Sequence, residues 1–328
     1  MPSEWRPTLV VVVDSEEEFD WARFDPEADK VTNIALQPMA QAILDRHGIV
    51  PTYVVDYPVA TKAESVEVLR PFLDAGRCEI GAHLHPWVCP PHEGPVDELH
   101  SYPGNLPPAL ERAKLIELTE AISRNFGRRP TIYKAGRYGV GPATAGLLTE
   151  LRYEFDISVV PYTDYSAQQG PDFWGVPAEP FLVAPSVLAI PQSVEFTGLF
   201  GRYGKRLYPP LTSRIGHVLN LEGLSSRLGL IERLRLTPEG FDYADLVRQT
   251  LAGYRRGRRL FMLSYHSSSL LPGATSYVRT EGERDVFLAT LDRYCAFFTS
   301  DLGGVGAGVT EVGRRLMALL EHHSHENA

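Results

Sequence analysis

The chain has 328 residues, enough to bury a sizeable core in one large domain or two small ones. Hydrophobic residues at 44% and charged residues at 22% argue against extensive disorder. The net charge of -9 provides no basic field for a nucleic acid, and three cysteines without a CxxC pair argue against a disulfide framework or a zinc ribbon.

The N-terminal segment gives no indication of export. Its apolar run, residues 9–13, is shorter than a signal-peptide core and leads directly into a run of acidic residues. No other apolar stretch approaches the ~20 residues that a membrane-spanning helix needs. The sequence therefore predicts a cytoplasmic protein without membrane insertion, and it does not predict the oligomeric state.

Short β-branched runs alternate with segments of helical spacing along the chain. The predicted strands cover residues 8–13, 51–55, 78–82, 131–135, 155–160, 187–190, 260–264 and a Gly-rich stretch near 305. Helical periodicity marks residues 36–44, 66–73, 115–126, 147–151, 243–254, 288–298 and the chain from 310. The first strand is apolar throughout, as expected when both faces are buried. This pattern predicts a distorted (β/α) barrel of seven to eight strands.

The stretch 161–240 interrupts this alternation. Eight prolines fall between residues 161 and 210, so we expect that part to be mostly loops with short strands such as 187–190. We expect the whole segment 161–240 to pack beside the rim of a site. No change in composition marks a linker, and residues 1–328 are therefore expected to form a single domain.

Ionisable side chains follow several predicted strands at the point where each strand ends. Asp14 and Glu16 follow the first strand, His83 and His85 the third, and His266 the strand at 260–264. The carboxyl ends of parallel strands meet at one edge, and residues two apart on an extended chain face the same side. Two imidazoles and a carboxylate at one barrel mouth would make an open three-ligand site for zinc or a similar divalent ion.

Each of these motifs has a plainer explanation when taken alone. An HxH pair is about as often a pair of solvated loop histidines as a metal site, and an acidic run is more often a solvated face or a helix N-terminus. His266 alone fits a hydrogen-bonded strand end, and Arg137, after the fourth strand, fits an ion pair at a turn. Their shared position at strand ends on one predicted rim favours a functional site.

Five motifs lie in order over roughly residues 8–310: VDSEEEFDW, EIGAHLHPW, KAGRYG, YEFDIS and LSYHSSSLLPG. Together they resemble the polysaccharide deacetylase family, the NodB-homology carbohydrate esterases, and most closely its branch found in lipopolysaccharide and exopolysaccharide gene clusters. The resemblance implies a barrel fold and a metal-dependent hydrolase. It implies Asp14 as the general base, His266 as the late histidine of the family, and Asp156, in the fourth motif, as a substrate-binding residue.

The first two motifs depart from the family pattern. The common first motif has adjacent aspartates, whereas here Glu16, two residues after the base, is the expected ligand by same-face geometry. The common second motif spaces its histidines four residues apart, but that position is Trp87. Either His85 completes the metal site with His83, which is the assignment we prefer, or His92 does.

The third motif offers two cations to orient Asp14. Lys134 lies at the end of the fourth predicted strand, and Arg137 follows that strand. We expect Arg137 to take this role, because its guanidinium fork can hold a carboxylate in a fixed plane.

The sequence thus predicts a hydrolase that removes an N-acetyl or O-acetyl group from a sugar of a cell-surface polysaccharide or its precursor, with one divalent ion, Zn²⁺ by preference. His266, facing the metal across the mouth, would protonate the leaving nitrogen. Two alternatives are a catalytically silent sugar-binding barrel and an amidohydrolase that acts on a non-sugar amide. Candidate sugar-stacking side chains are Trp87, Tyr138, Trp174 and Tyr265.

Overall fold

The computed structural model describes residues 5–19 and 23–326, except for the side chains of 217 and 321–326. The strands in these ranges are β1 (Thr8–Ser15), β2 (Thr52–Val55), β3 (Glu79–Leu84), β4 (Ile132–Ala135), β5 (Phe155–Asp156), β6 (Phe181–Ala184), β7 (Val187–Ala189), β8 (Val194–Thr197), β9 (Glu232–Arg235), β10 (Leu260–His266) and β11 (Val305–Gly306). Most of the predicted strands are present, several of them shifted or shortened by a few residues.

The helices of the described chain lie mainly between the strands. They are α1 (Gln37–Arg46), α2 (Tyr57–Thr61), α3 (Ala63–Asp74), α4 (Pro108–Phe126), α5 (Thr144–Glu150), α6 (Gly204–Leu207), α7 (Pro209–Thr212), α8 (Arg214–Val218), α9 (Leu221–Arg227), α10 (Tyr243–Arg255), α11 (Glu281–Ala296) and α12 (Val309–Glu326). None of the helices in the described ranges has the length and apolar character needed to cross a membrane.

The main sheet runs in the order β10-β1-β2-β3-β4-β5-β7-β6, with β11 paired to β1. All of these pairs are parallel except β6–β7, and β8 and β9 form a separate antiparallel pair. The backbone of Leu236 links the end strand β10 to the segment that follows β7: its N–H donates to the carbonyl of Ser193 (3.0 Å) and its carbonyl accepts from the N–H of Ser264 in β10 (3.1 Å). The predicted distorted barrel is confirmed.

Alternate residues of β1 belong to two different hydrophobic cores, one on each face of the strand. Leu9, Val11 and Val13 pack outward against the surrounding helices, whereas Val10 and Val12 point into the barrel interior. Val312 and Leu316 of α12 complete this inner core. Both faces of the strand are therefore buried, which explains why the run is continuously apolar. The same alternation decides which side chains reach the mouth of the barrel.

The stretch 161–240 has two parts. Residues 161–210 are mostly loops with the short strands β6, β7 and β8, as expected, whereas α8, α9 and β9 lie in residues 211–240. Pro209 and Pro210 occupy the first turn of α7, where a missing N–H costs no intrahelical hydrogen bond. These prolines start a helix rather than prevent one.

Candidate active site

The carboxyl ends of β1, β3, β4 and β10 meet at one mouth of the barrel, which opens into a cavity of about 970 Å³. Seven of the site residues predicted from the sequence line this cavity together: Asp14, Glu16, His83, His85, Arg137, Tyr138 and His266. Two of them continue inward-facing series along their strands, because Asp14 follows Val10 and Val12 at steps of two, and His266 follows Met262 in the same way.

His83 and His85 approach each other at the end of β3. Their Nε2 atoms lie 3.0 Å apart. The Oε2 atom of Glu16 lies 3.7 Å from Nε2 of His83 and 3.5 Å from Nε2 of His85. All three side chains are buried. We call Glu16, His83 and His85 the three-donor cluster.

The hydrogen bonds of the two rings determine which nitrogens carry lone pairs. Nδ1 of His83 lies 3.1 Å from the carbonyl oxygen of Lys134, which can only accept, so Nδ1 carries the hydrogen and Nε2 is bare. Nδ1 of His85 lies 2.8 Å from Oε2 of Glu17, and when Glu17 is ionised its oxygen can only accept, so Nδ1 of His85 carries the hydrogen and Nε2 is bare. Burial lowers the pKa of both rings, that of His85 to about 4, so both are neutral at pH 7.

The three-donor cluster fits a divalent metal ion. Two bare imidazole nitrogens and a carboxylate oxygen face one another in a buried space, and a cation among them would relieve their mutual repulsion. Two imidazoles with one carboxylate are a donor set suited to zinc, and the hydrogen bonds on the outer ring nitrogens hold the rings in the required orientation.

A second group of potential ligands, Glu17, Asp56 and His85, lies behind the first. Its oxygens are already engaged by donors. Oε1 of Glu17 accepts from the indole N–H of Trp87 (2.7 Å), and the two Asp56 oxygens accept from the backbone N–H groups of Val59 (2.8 Å) and Glu17 (2.6 Å). These contacts hold His85 in position. The oxygens of Glu17 and Asp56 are less available to a metal ion than the donor atoms of the three-donor cluster.

Lys134 holds Asp14 at the mouth. Its Nζ donates to both carboxylate oxygens at 2.6 Å, and both side chains are buried. Burial would raise the pKa of Asp14, but Lys134, with His83 and His266, outweighs that effect and lowers the pKa to about 2. Asp14 is thus ionised at neutral pH and fixed in one plane.

The expectation that Arg137 orients Asp14 is wrong. Arg137 lies beyond the end of β4 in a turn, where its guanidinium donates to Oγ of Ser101 (2.5 Å) and stacks over the ring of Tyr102 at 4.2 Å. Lys134 takes the role because it lies two residues after Ile132, which faces the barrel interior. Strand alternation was the sequence signal that favoured Lys134.

His266 lies beside Asp14 rather than across the mouth, which corrects the expected position. β10 is the neighbour of β1, and the two residues are partners in the strand register. Nε2 of His266 lies 3.7 Å from Oδ2 of Asp14. The closure of the barrel is not needed to bring the two groups together.

Glu239 is a site residue that the sequence reasoning missed. Nδ1 of His266 donates to its carboxylate at 2.9 Å, and Ser269 donates to it at 2.5 Å. Burial would lower the pKa of His266, but Glu239, with Glu16 and Asp14, raises it well above its usual value. His266 is therefore protonated at neutral pH. The local sequence TPEG resembles an ordinary turn and gives no signal of this contact.

Of the candidate stacking residues, Tyr138 lines the cavity, but Trp87 does not. Trp87 is only 2% exposed, its indole donates to Glu17, and its ring stacks on His85 with centroids 4.3 Å apart. A sugar cannot reach this ring, so the stacking role is wrong for Trp87. Its contacts instead hold His85 in place.

The other candidates also lie away from the cavity. Tyr265 is 1% exposed because it belongs to the outward-facing series of β10, and Trp174 stacks on Tyr208 in a separate aromatic cluster. Asp156 is buried and accepts hydrogen bonds from the hydroxyl and N–H of Ser158. The site roles expected for Tyr265, Trp174 and Asp156 therefore have no support in this geometry.

His92, the alternative ligand, lies in a different cavity of about 230 Å³. That cavity is separated from the three-donor cluster by Trp87, whose ring packs on His85. The structure thus brings His85, and not His92, to His83.

We expect Gly136→Ala to destabilise the fold and disturb the ring of His85. A Cβ at this position would lie 2.5 Å from the carbonyl oxygen of Leu84 and 2.7 Å from Cδ2 of His85. Overpacking of this kind costs about 1–3 kcal/mol. Gly146→Ala is the control, because Gly146 lies in α5 with open space around it and alanine favours the helix by about 1 kcal/mol. Urea denaturation measures both, and equal stability of the two variants would contradict the tight approach at Gly136.

No protein-family model matches the sequence, and no curated protein matches it either. Solved structures do. A structure described as a polysaccharide deacetylase from Mycobacterium smegmatis is 16% identical, with a TM-score of 0.55 over 95% of this chain and 91% of that one. One from Pseudomonas aeruginosa PAO1 is 17% identical, with a TM-score of 0.54 over 96% and 92%. The Puue allantoinase is 16% identical, with a TM-score of 0.55 over 97% and 92%. The chain therefore shares the barrel fold of structures described as polysaccharide deacetylases.

Proposed function

We propose that the chain is a metal-dependent hydrolase that removes an N-acetyl or O-acetyl group from a sugar of a cell-surface polysaccharide or its precursor. The observation that carries the proposal is the presence, at one barrel mouth, of the three-donor cluster beside a paired carboxylate, Asp14, and a protonated imidazole, His266. One divalent ion, Zn²⁺ by preference, would be held by the three-donor cluster. The segment 161–240 belongs to the same functional domain, because it supplies Tyr165 and Arg235 to the cavity wall.

The bound ion would lower the pKa of a water molecule and polarise the acyl carbonyl. Asp14 accepts the proton of the attacking water, and the two hydrogen bonds from Lys134 keep its carboxylate ionised and aimed. His266 donates its proton to the leaving nitrogen, because an amide nitrogen does not depart as an anion. Glu239 keeps His266 protonated and fixes the plane of its ring.

A non-sugar amide is the second candidate substrate. The fold matches the Puue allantoinase as closely as it matches the deacetylase from Mycobacterium smegmatis, so the fold does not separate the two substrate classes. Acetate release from N-acetylated sugars, measured beside the ring opening of allantoin, tests the choice. We expect acetate release alone. Opening of allantoin without acetate release would favour the second candidate, and no hydrolysis of either would favour a silent sugar-binding barrel.

His83→Ala and His85→Ala should each cut the metal content of the purified protein from about one ion per chain towards zero. His92→Ala is the matched control and should retain the metal, since His92 lies in the other cavity. Elemental analysis by mass spectrometry measures all three. Metal loss in the His92 variant, with retention in the His85 variant, would overturn the ligand assignment.

A further inference from the structure

The cavity has a second chemical feature besides the metal-ligand cluster: the side chains of Arg137 and Arg235 both line it. We propose that this part of the wall binds an anionic group of the substrate, a carboxylate or a phosphate. The acetylated sugar would then be an acidic sugar or a sugar phosphate. The inference rests on the proposed function for the reaction itself, and it adds the charge class of the substrate.

Among the described residues, no carboxylate contacts the positive charge of Arg235 directly, and Glu239, which acts on it from a longer distance, is already hydrogen-bonded to His266 and Ser269. Arg235 lies at the end of β9, and its Nη2 donates to the hydroxyl of Tyr138 at 2.6 Å. Its Nε is buried and has no hydrogen-bond partner. Within the described part of the chain, no carboxylate oxygen lies within 4.0 Å of this guanidinium. The side chain is half-buried, so a charge without a contacting carboxylate is costly there, and a bound anion would supply the missing partner.

The carboxylates that line the cavity are engaged elsewhere. Asp14 is held by Lys134, and the carboxylate of the three-donor cluster faces the two histidines. Glu18 accepts hydrogen bonds from the hydroxyl of Thr32 (2.5 Å) and the backbone N–H of Asn33 (3.0 Å). None of these groups neutralises Arg235, so its charge remains available to a ligand in the cavity.

The sheet topology places Arg235 opposite the metal-ligand cluster. Leu236, the next residue, forms the backbone bridge that closes the barrel. β3, which carries His83, is the fourth strand counted from β10 and the fifth counted from β6 at the other edge of the sheet. An anionic group bound by Arg235 would therefore hold the end of the sugar that points away from the reacting acetyl group.

Tyr138 lies beside both cations. Nζ of Lys134 and the guanidinium of Arg235 each lie 5.2 Å from the centre of its ring. The cation that holds the base and the cation that would hold the anion are thus next to the same aromatic ring, and a substituted monosaccharide can reach both. Tyr165 stacks on Tyr138 with centroids 5.7 Å apart and adds a second ring to this wall.

Arg137 and Tyr138 are presented by an unusual backbone. Their φ angles are 53° and 60°, in the left-handed region that non-glycine residues rarely adopt. Such conformations cost about 1–3 kcal/mol each and persist where ligands are bound. The guanidinium of Arg137 has one long ion pair, 3.6 Å to the half-exposed carboxylate of Glu98. It therefore offers a second, weakly neutralised cation on the same wall.

Calorimetric titration with three matched sugars tests the inference: N-acetylglucosamine, N-acetylmuramic acid and N-acetylglucosamine 6-phosphate. The wild type should bind at least one anionic sugar roughly tenfold or more tightly than the neutral one, as expected for hydrogen bonds to a charged group. The carboxylate and phosphate probes show which anion the wall prefers. Arg235→Gln should remove most of that preference, measured as the ratio of the anionic-sugar and neutral-sugar affinities of the same variant.

Arg233→Gln is the matched control, because Arg233 lies on the same strand but bonds to Tyr162 and Thr163 outside the cavity. It should keep the preference, and Arg235→Lys, which retains the charge, should keep part of it. Equal binding of neutral and anionic sugars by the wild type, or an unchanged preference in Arg235→Gln, would overturn the inference. Acetate release is measured separately: a preference that depends on Arg235 without any acetate release would leave the inference standing and refute the proposed function.

Discussion

Asp14→Asn is expected to lower acetate release from an N-acetylated sugar by ~10² or more while the metal stays bound. The amide keeps the size of the side chain but cannot accept the proton of the attacking water. The substitution also leaves Lys134 buried without its anionic partner, which costs about 3–5 kcal/mol of stability. Steady-state rates, metal content and urea denaturation are measured together.

The double variant Asp14→Asn, Lys134→Met separates catalysis from stability. It removes both buried charges, so stability should recover relative to the single variant, whereas acetate release should stay low. Recovery of activity in the double variant would show that the single substitution acts through the fold. Loss of metal in Asp14→Asn would make Asp14 a ligand and leave the base unassigned.

His266→Ala should lower the rate on an N-acetyl substrate by ~10² or more and the rate on an activated acetyl ester much less. A nitrogen leaving group needs a proton, whereas the oxygen of an activated ester departs readily as an anion. Metal content and fold should be unchanged, because His266 lies outside the three-donor cluster. Equal losses on both substrates would mean that His266 positions the substrate or the water instead.

Glu239→Gln should shift the pH profile of the same reaction. The carboxylate of Glu239 raises the pKa of His266, so its removal lowers that pKa and the protonated acid is lost at a lower pH. The alkaline limb of kcat on the N-acetyl substrate should therefore move to lower pH, with little change on the activated ester. An unmoved alkaline limb would contradict the assignment of His266 as the acid.

The positions of the metal-ligand candidates could be predicted from the sequence because they depend on local rules. The period of two along a strand predicts that Asp14 and Glu16 lie on one face after the first strand, and that the HxH pair does so after the third. The rule that active sites lie at the carboxyl ends of parallel strands then predicts that both groups belong to one site. The structure brings these residues together at one mouth.

The residues that were missed or misassigned depend on contacts distant in the sequence or on backbone torsions. Glu239 accepts a hydrogen bond from His266, 27 residues away in the sequence, and the two residues meet only when the barrel closes. Arg137 was preferred for its chemistry, but the left-handed turn at that residue carries it away from Asp14. Tyr265 and Trp87 were chosen by residue type, and their burial is decided by strand alternation and by packing on the histidines.

Anomalous diffraction from crystals grown with zinc, recorded at the zinc absorption edge, tests the central claim most directly. We predict one strong peak, from a zinc ion bonded to Glu16 and to Nε2 of both His83 and His85. These are the three donor atoms whose lone pairs face one another. A peak held instead by Glu17 and Asp56, or no peak in this cavity, would contradict the assignment of a metal-dependent hydrolase site to the three-donor cluster.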